Sequence, residues 1–238
     1  MLFDAGISRR ELYKRLATVS IDPAEISAVV VSHEHSDHVC GLLMLLKHQQ
    51  SLRNVPLPLY CNPRTHASLD WKEFAPAVEL VEVGMRFSVA DLEIDTFTIP
   101  HDATDPVGFV VRAEGQCLGL LTDLGYVPDS VRFHLADANF LLLESNHDLE
   151  MLKVGPYPWS VKQRVMGRNG HLSNDVAAAF VAESLSSELH TLVLGHLSDH
   201  NNHPAIARLT MENALNGASL RPRLEVAERA GPVLQFAW

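Results

Sequence analysis

The residues best suited to chemistry lie in one short segment, Ser32-His33-Glu34-His35-Ser36-Asp37-His38, which follows a β-branched run. In an extended chain alternate side chains share a face, so His33 and His35 point the same way and can bind one ion together. Asp37 and His38 follow where the chain turns into a helix, which directs them towards a second position nearby. The spacing therefore predicts parts of two adjacent metal sites.

Three further polar residues, His101, Asp123 and His196, each come at the C-terminal end of an apolar run, where α/β proteins place their chemistry. Taken alone, each is also typical of a turn or a cap. Because a carboxylate can bridge two ions, we expect Asp123 to lie between them. Imidazole and carboxylate donors without thiolate predict two divalent ions, Zn²⁺ or Mn²⁺. The predicted ligands are His33, His35, Asp37, His38, His101, Asp123 and His196.

Two adjacent cations predict hydrolysis, because they lower the pKa of a bridging water and yield hydroxide near neutral pH. Phosphodiesters fit best, since the ions offset charge on the phosphoryl oxygens. His171 lies between a glycine and a predicted helix start, from where it could protonate the leaving oxygen, and Glu144 could orient it. A loop histidine without a partner is the alternative for His171. The candidate catalytic residues are Asp37, Glu144 and His171.

The segment from Met151 to His171 is basic within an acidic chain: it has four cationic residues and no acidic one, against a net charge of −10. Nucleic-acid backbones bind such patches, and Tyr157 and Trp159 could stack on bases. A solvated helix face is the alternative interpretation. The predicted substrate contacts are Lys153, Lys162, Arg164, Arg168, His147 and Asn201.

Composition sets the class of protein. With 238 residues and 47% hydrophobic content, the chain predicts one soluble globular domain spanning residues 1–238. No apolar run is long enough for a membrane span and the first residues do not resemble a signal peptide, so we expect a cytoplasmic protein. Three cysteines are too few for a disulfide framework and are expected to be small buried hydrophobes.

Strand and helix patterns are interleaved, with strand after strand in the middle third, which predicts an α/β fold of two mixed sheets covered by helices. Strands are predicted at residues 2–3, 28–32, 57–60, 78–83, 92–99, 108–112, 117–122, 140–143, 191–194 and 220–228. Helices are predicted at residues 8–18, 40–48, 63–70, 175–185 and 204–215, and a surface loop at residues 155–159.

With these motifs the chain resembles the metallo-β-lactamase superfamily, which implies an αββα sandwich with a two-metal site at one edge of its two sheets. The resemblance implies that Asp123 bridges the ions and that Asp4 supports the histidine motif from behind. It assigns His33, His35 and His101 to the first ion and Asp37, His38 and His196 to the second.

Within the superfamily the segments 144–148, 170–174 and 194–202 resemble the YycJ/WalJ branch, which is similar to 5′→3′ DNA exonucleases and, more distantly, to ribonuclease Z. Members of that branch carry additional strands before the Asp4 strand, so we expect N-terminal edge strands to be missing here. The long arm of ribonuclease Z is absent, which disfavours tRNA 3′ processing. A small-molecule hydrolase, β-lactamase-like or hydroxyacylglutathione-hydrolase-like, is the main alternative, and a non-enzymatic binding protein is the other. The basic segment argues against the first, and the complete ligand set argues against the second.

Overall fold

The computed structural model describes residues 1–185, 187–218 and 220–236. It divides into two compact units. The first contains Met1–Val89 and Ala103–Val107 together with residues 233–236, and the second contains Ala90–Asp102 and Gly108–Pro232. Whether these units act as the single domain predicted from composition stays a prediction.

The first unit contains a four-stranded sheet with the strand order β1-β2-β3-β4, and all its neighbouring strands are parallel. Its elements in chain order are β1 (Leu2–Phe3), α1 (Arg9–Thr18), β2 (Val29–Val30), α2 (Ser36–Val39), α3 (Leu42–Arg53), β3 (Leu59–Cys61), α4 (Pro63–Ser68), β4 (Val78–Leu80) and β5 (Arg86–Val89).

The core of this unit forms where helices α1 and α3 cover the sheet. Leu12 of α1 and Leu45 of α3 belong to one buried apolar cluster with Val29 and Leu59 of the central strands. Strand β2 is buried on both faces, as expected for a parallel strand under helices. The core thus fixes the end of β2, from which the histidine motif starts.

The second unit contains the strand order β11-β10-β9-β8-β7-β6. Its elements in chain order are β6 (Leu92–Thr98), β7 (Val107–Ala113), β8 (Gln116–Leu121), α5 (Asp129–Leu135), β9 (Phe140–Glu144), α6 (Leu149–Val154), α7 (Trp159–Val165), α8 (Asn174–Ser184), β10 (Thr191–Gly195), α9 (Pro204–Gly217) and β11 (Arg223–Val226).

Three parallel strands, β8, β9 and β10, set the geometry of the second unit. Leu121 pairs with Leu143, and Gly195 pairs with Glu144, so the C-terminal ends of the three strands lie side by side. Helices α5, α8 and α9 bury apolar side chains in the same core cluster as these strands. The loops after the three strands are therefore brought to one edge of the sheet.

The predicted α/β class with two sheets and associated helices is confirmed, with shifted ends. Helices α2, α5, α6 and α7 and strand β5 were not predicted, because each has only four to seven residues, too few for its apolar period to be recognised. The predicted loop at 155–159 ends one residue early, since Trp159 begins α7. The expectation that all cysteines are buried is wrong for Cys40, which is exposed. Among the described helices, none is long and apolar enough to cross a membrane.

Replacing Gly6 by Ala should lower the free energy of unfolding by about 1–3 kcal/mol, as over-packing does in other proteins. A β-carbon at Gly6 would overlap the carbonyl oxygen of Asp37 in the histidine motif. Urea unfolding followed by circular dichroism measures the change. The control is Gly217→Ala at the end of α9, where no described atom lies within 4 Å of the new β-carbon. Equal stability of the two variants would contradict this close packing.

Candidate metal centre

The histidine motif of the first unit spans the turn between β2 and α2. The His33 side chain is buried, and its ring centroid lies 4.8 Å from that of His35 and 4.1 Å from that of His38. His35 has an extended backbone and directly precedes α2. The alternation of side chains ends after His35, because α2 begins at Ser36. Asp37 lies in the first turn of α2 and is exposed. The structure therefore gathers the three imidazoles of the motif.

Asp4, at the end of β1, contacts this motif through its carboxylate. Its carboxylate accepts hydrogen bonds from the backbone N–H and the hydroxyl of Ser32 at 2.8 and 2.7 Å. The Nδ1–H of His38 donates to Asp4 Oδ2 at 2.8 Å, which puts the ring lone pair on Nε2. Asp4 itself is held in the left-handed region, with φ 57°. A histidine fixed in this way presents Nε2 as the metal-binding atom.

Glu34 lies between the first two histidines, and the sequence predicts no functional or structural role for it. Its Oε1 accepts from the backbone N–H and from the hydroxyl of Thr104, both at 2.7 Å. Partial burial would raise the pKa of Glu34, but the hydrogen bonds from Thr104 outweigh it and lower that pKa. Glu34 thereby fastens the segment Ala103–Val107 to the motif within the first unit.

In the second unit the loops after β8, β9 and β10 bring together an acidic and histidine-rich cluster. Asp123 and His196 both have left-handed backbones, with φ 63° and 57°, which turn their side chains at the strand ends. One donor atom from each of Asp123, Glu144, His171 and His196 lies within 4.8 Å of the others. The structure therefore brings two of the strand-end residues, Asp123 and His196, into one cluster, with His196 Nε2 3.5 Å from Asp123 Oδ1.

Glu144 lies at the centre of this cluster and is fully buried. Its Oε1 accepts from the Nδ1–H groups of His171 and His196, each at 2.8 Å. Its Oε2 accepts from the backbone N–H groups of Leu124 and Leu172. Burial alone would raise the pKa of Glu144, but the two histidines lower it to about 2. The sequence predicts a pairing of Glu144 with His171 but does not indicate its hydrogen bond with His196.

His101 and His171 flank the cluster with different protonation preferences. His101 is buried, its Nδ1–H donates to the Gly170 carbonyl at 3.2 Å, and its Nε2 lies 3.7 Å from Asp123 Oδ1. Burial lowers the pKa of His101, which favours the neutral, metal-binding form. Burial would also lower the pKa of His171, but the adjacent Glu144 carboxylate reverses this and the pKa is raised.

A network of buried amides holds the loops that carry these residues. Asn146 Nδ2 donates to the carbonyl of His196 at 2.9 Å, and the backbone N–H of Asn146 donates to Leu172. Asn174 and Asn202 exchange side-chain hydrogen bonds at 3.0 and 2.9 Å. Buried amides whose hydrogen bonds are satisfied fix the geometry of loops. These amides therefore hold the loops that carry His171 and His196 in place.

Of the predicted substrate contacts, two lysines are already engaged by the protein. Lys162 is buried and donates from Nζ to the carbonyl of Lys153 at 2.7 Å, which argues against a phosphate contact. Lys153 pairs with Glu150 at 2.6 Å on the surface. Arg164 and Arg168 are exposed, and Arg164 pairs with Asp102.

The remaining predicted contacts, His147 and Asn201, are buried. His147 is 1% exposed, and burial lowers its pKa to about 4. The Asn201 amide lies against Gly155 and Ser198, and its backbone carbonyl accepts from Asp148. Both positions favour structural roles over direct contact with a substrate.

The donor set fits divalent metal ions. Metal-binding histidines in proteins usually donate their second ring N–H to a carboxylate or a carbonyl. His38 does so to Asp4, His196 to Glu144, and His101 to the Gly170 carbonyl. These are imidazole and carboxylate donors, which suit Zn²⁺ and Mn²⁺. His171 meets the same criterion through Glu144.

Residues 1–196 match the family model for the β-lactamase superfamily domain. The chain belongs to the metallo-β-lactamase superfamily. It is 33% identical to the exodeoxyribonuclease WalJ of Streptococcus pneumoniae over 92% of this chain and 81% of that protein. It is also 32% identical to the exodeoxyribonuclease YycJ of Bacillus anthracis over 90% of this chain and 80% of that protein.

A solved structure supports the fold of this superfamily member. The chain is similar to Zn²⁺-bound PqqB from Methylobacterium extorquens, with a TM-score of 0.68 and 21% identity over 95% of this chain and 79% of that one. The predicted resemblance and the predicted class, a metal-dependent hydrolase, are thus confirmed at the level of the superfamily. Which residues bind which ion stays a prediction.

Replacing Asp4 by Asn should weaken the binding of Zn²⁺ about 10- to 100-fold, because the hydrogen bond that orients His38 is altered. Competition with a chromophoric chelator measures the affinity. Asp70→Asn is the matched control, since Asp70 is an exposed carboxylate paired with Lys72. If both variants bind Zn²⁺ as tightly as the wild type, Asp4 does not support the metal centre.

Proposed function

We propose that this protein is a metal-dependent nuclease that hydrolyses DNA phosphodiesters, in the manner of a 5′→3′ exonuclease. The observation that carries the proposal is the set of histidines whose Nδ1–H groups are fixed by acceptors, above all the pair on Glu144. The names of the two exodeoxyribonuclease relatives support DNA as the substrate and cleavage from an end.

We propose two divalent ions, Zn²⁺ or Mn²⁺, held by the seven residues that the sequence predicts. In this proposal Asp123 would be a ligand shared by both ions, and Asp4 would act only through His38. When bound, the ions would supply Lewis acidity and offset the negative charge that develops on the phosphoryl oxygens. The support is chemical: every one of these side chains is an imidazole or a carboxylate, and family membership favours a metal centre. The ligands are His33, His35, Asp37, His38, His101, Asp123 and His196.

His171 is proposed to protonate the leaving oxygen. Its Nδ1–H is held by Glu144, so Nε2 is the atom that carries the proton to the substrate. The adjacent carboxylate raises the pKa of His171 in spite of burial, which favours the protonated form near neutral pH. Glu144 therefore acts as a positioning residue, orienting His171 and His196 through one oxygen.

A small-molecule hydrolase remains the alternative function. The two exposed arginines of the segment from Met151 to His171, Arg164 and Arg168, favour a polyanionic substrate over a lactam or a thioester. We also propose a cytoplasmic location, which rests on the sequence.

The test compares wild-type protein with Asp123→Ala on four substrates: single-stranded DNA, duplex DNA, RNA and a chromogenic cephalosporin, each with Zn²⁺ or Mn²⁺. The proposal expects metal-dependent cleavage of DNA by the wild type and a loss of at least about 10³-fold in the variant. Circular dichroism checks that the variant keeps its fold. Unchanged cleavage by Asp123→Ala would remove the bridging role, and turnover of the cephalosporin alone would establish the alternative.

A further inference from the structure

A cleft of about 490 Å³ lies in the second unit, lined by Asp102, Arg164, Gly167, Arg168 and Asn169. It adjoins residues of the candidate site, because Asp102 Oδ1 lies 3.5 Å from the His101 ring and Asn169 is two residues before His171. The cleft holds two exposed guanidinium groups.

We propose that this cleft binds a backbone phosphate of the DNA strand through Arg164 and Arg168. The proposal rests on the function proposed above and names the part of the substrate that the cleft recognises. It also assigns no phosphate contact to Lys153, Lys162, His147 or Asn201, so it narrows the substrate contacts that the sequence predicts.

Arg168 is held in place while its hydrogen-bond donors remain available. Its guanidinium carbon lies 4.2 Å from the centroid of the Tyr126 ring, a cation–π contact. The backbone of Arg168 packs closely against Gly125. A β-carbon on Gly125 would overlap the carbonyl oxygen of Arg168. Among the described residues, no carboxylate or carbonyl accepts a hydrogen bond from the Arg168 side chain. A fixed planar fork with five donors matches a phosphate group.

Arg164 presents a second guanidinium from the last turn of α7. Its Nε donates to Asp102, and within the described part of the chain this is its side chain's one polar contact. The two terminal nitrogens therefore remain available to a bound anion. Asp102 accepts this hydrogen bond and so fixes the direction of the Arg164 guanidinium.

The two lysines of the same segment do not have side-chain nitrogens available to an anion in this way. Lys162 Nζ is buried and donates to the carbonyl of Lys153, and Lys153 pairs with Glu150 on the outer surface. The segment is therefore divided into two committed lysines and two arginines that face one cleft. The proposal depends on the two available arginines in the cleft and not on the total positive charge of the segment.

The experiment measures steady-state cleavage by the metal-loaded protein on a single-stranded DNA oligonucleotide and on bis(p-nitrophenyl) phosphate, a diester that has no second backbone phosphate for the cleft to bind. The variants are Arg164→Ala, Arg168→Ala, the double variant and Arg168→Lys, with Arg10→Ala as the matched control. Arg10 is an exposed arginine of α1 in the first unit. Each DNA assay is repeated over a series of salt concentrations.

For the double variant we expect KM for the oligonucleotide to rise about 10- to 100-fold while kcat changes less than about twofold. The slope of log(kcat/KM) against log[salt] should become shallower by about 0.7, since a single strand contributes about 0.7 for each phosphate neutralised and the cleft binds one phosphate. Hydrolysis of the small diester should be unchanged. Arg168→Lys keeps the charge but not the fork, so it should lie between the wild type and Arg168→Ala.

Three outcomes would overturn the assignment of the cleft as a phosphate-binding site. An unchanged salt slope in the double variant, an equal loss in Arg10→Ala, or a parallel loss on the small diester would each show that these arginines do not bind a strand. A wild-type protein that hydrolyses the small diester but cleaves no DNA would instead overturn the proposed function, and the cleft assignment with it.

Discussion

A single buried carboxylate carries the candidate site of the second unit. Glu144 is removed from water, and an ionised carboxylate in such a position is very costly unless its oxygens are fully hydrogen-bonded. Four N–H groups supply those bonds: the rings of His171 and His196 and the backbones of Leu124 and Leu172. The loops after β8 and β10 and the loop before α8 must therefore converge on the end of β9, or the charge is left without partners.

In the first unit, other residues form the same arrangement of a carboxylate that accepts a hydrogen bond from a histidine ring. Asp4 accepts from Ser32 and from the His38 ring, so a carboxylate at the end of β1 sets the tautomer of a histidine at the end of the motif. The close approach of Gly6 to Asp37 lets the two loops meet. In both units the sheet supplies a strand end, the strand end supplies a carboxylate, and the carboxylate orients an imidazole for chemistry.

The parts of this arrangement that are local in sequence could be predicted from it. The histidine motif is contiguous, and Asp123 and His196 follow apolar runs, so their residue types and positions predict a metal centre. The double role of Glu144 could not be predicted, because His171 and His196 lie 27 and 52 residues away. The pairing of β9 with β10 brings His196 to the Glu144 oxygen, and the hydrogen bond from the Asn146 N–H to the Leu172 carbonyl brings the loop of His171 there. The burial of Lys162 also depends on tertiary packing, since its charge alone indicates an exposed residue. Short elements such as α7 carry too few residues for their period to be read.

We propose that the carboxylate of Glu144 orients His196 as a metal ligand and His171 as a proton donor. Metal content by inductively coupled plasma mass spectrometry, measured together with DNA cleavage, tests it on the wild type, His196→Ala and His171→Ala. We expect about two equivalents of metal per wild-type chain, loss of metal and cleavage in His196→Ala, and retained metal with cleavage lowered about 10²- to 10⁴-fold in His171→Ala. Full cleavage by wild-type protein that contains no transition metal, or equal metal loss in both variants, would contradict it.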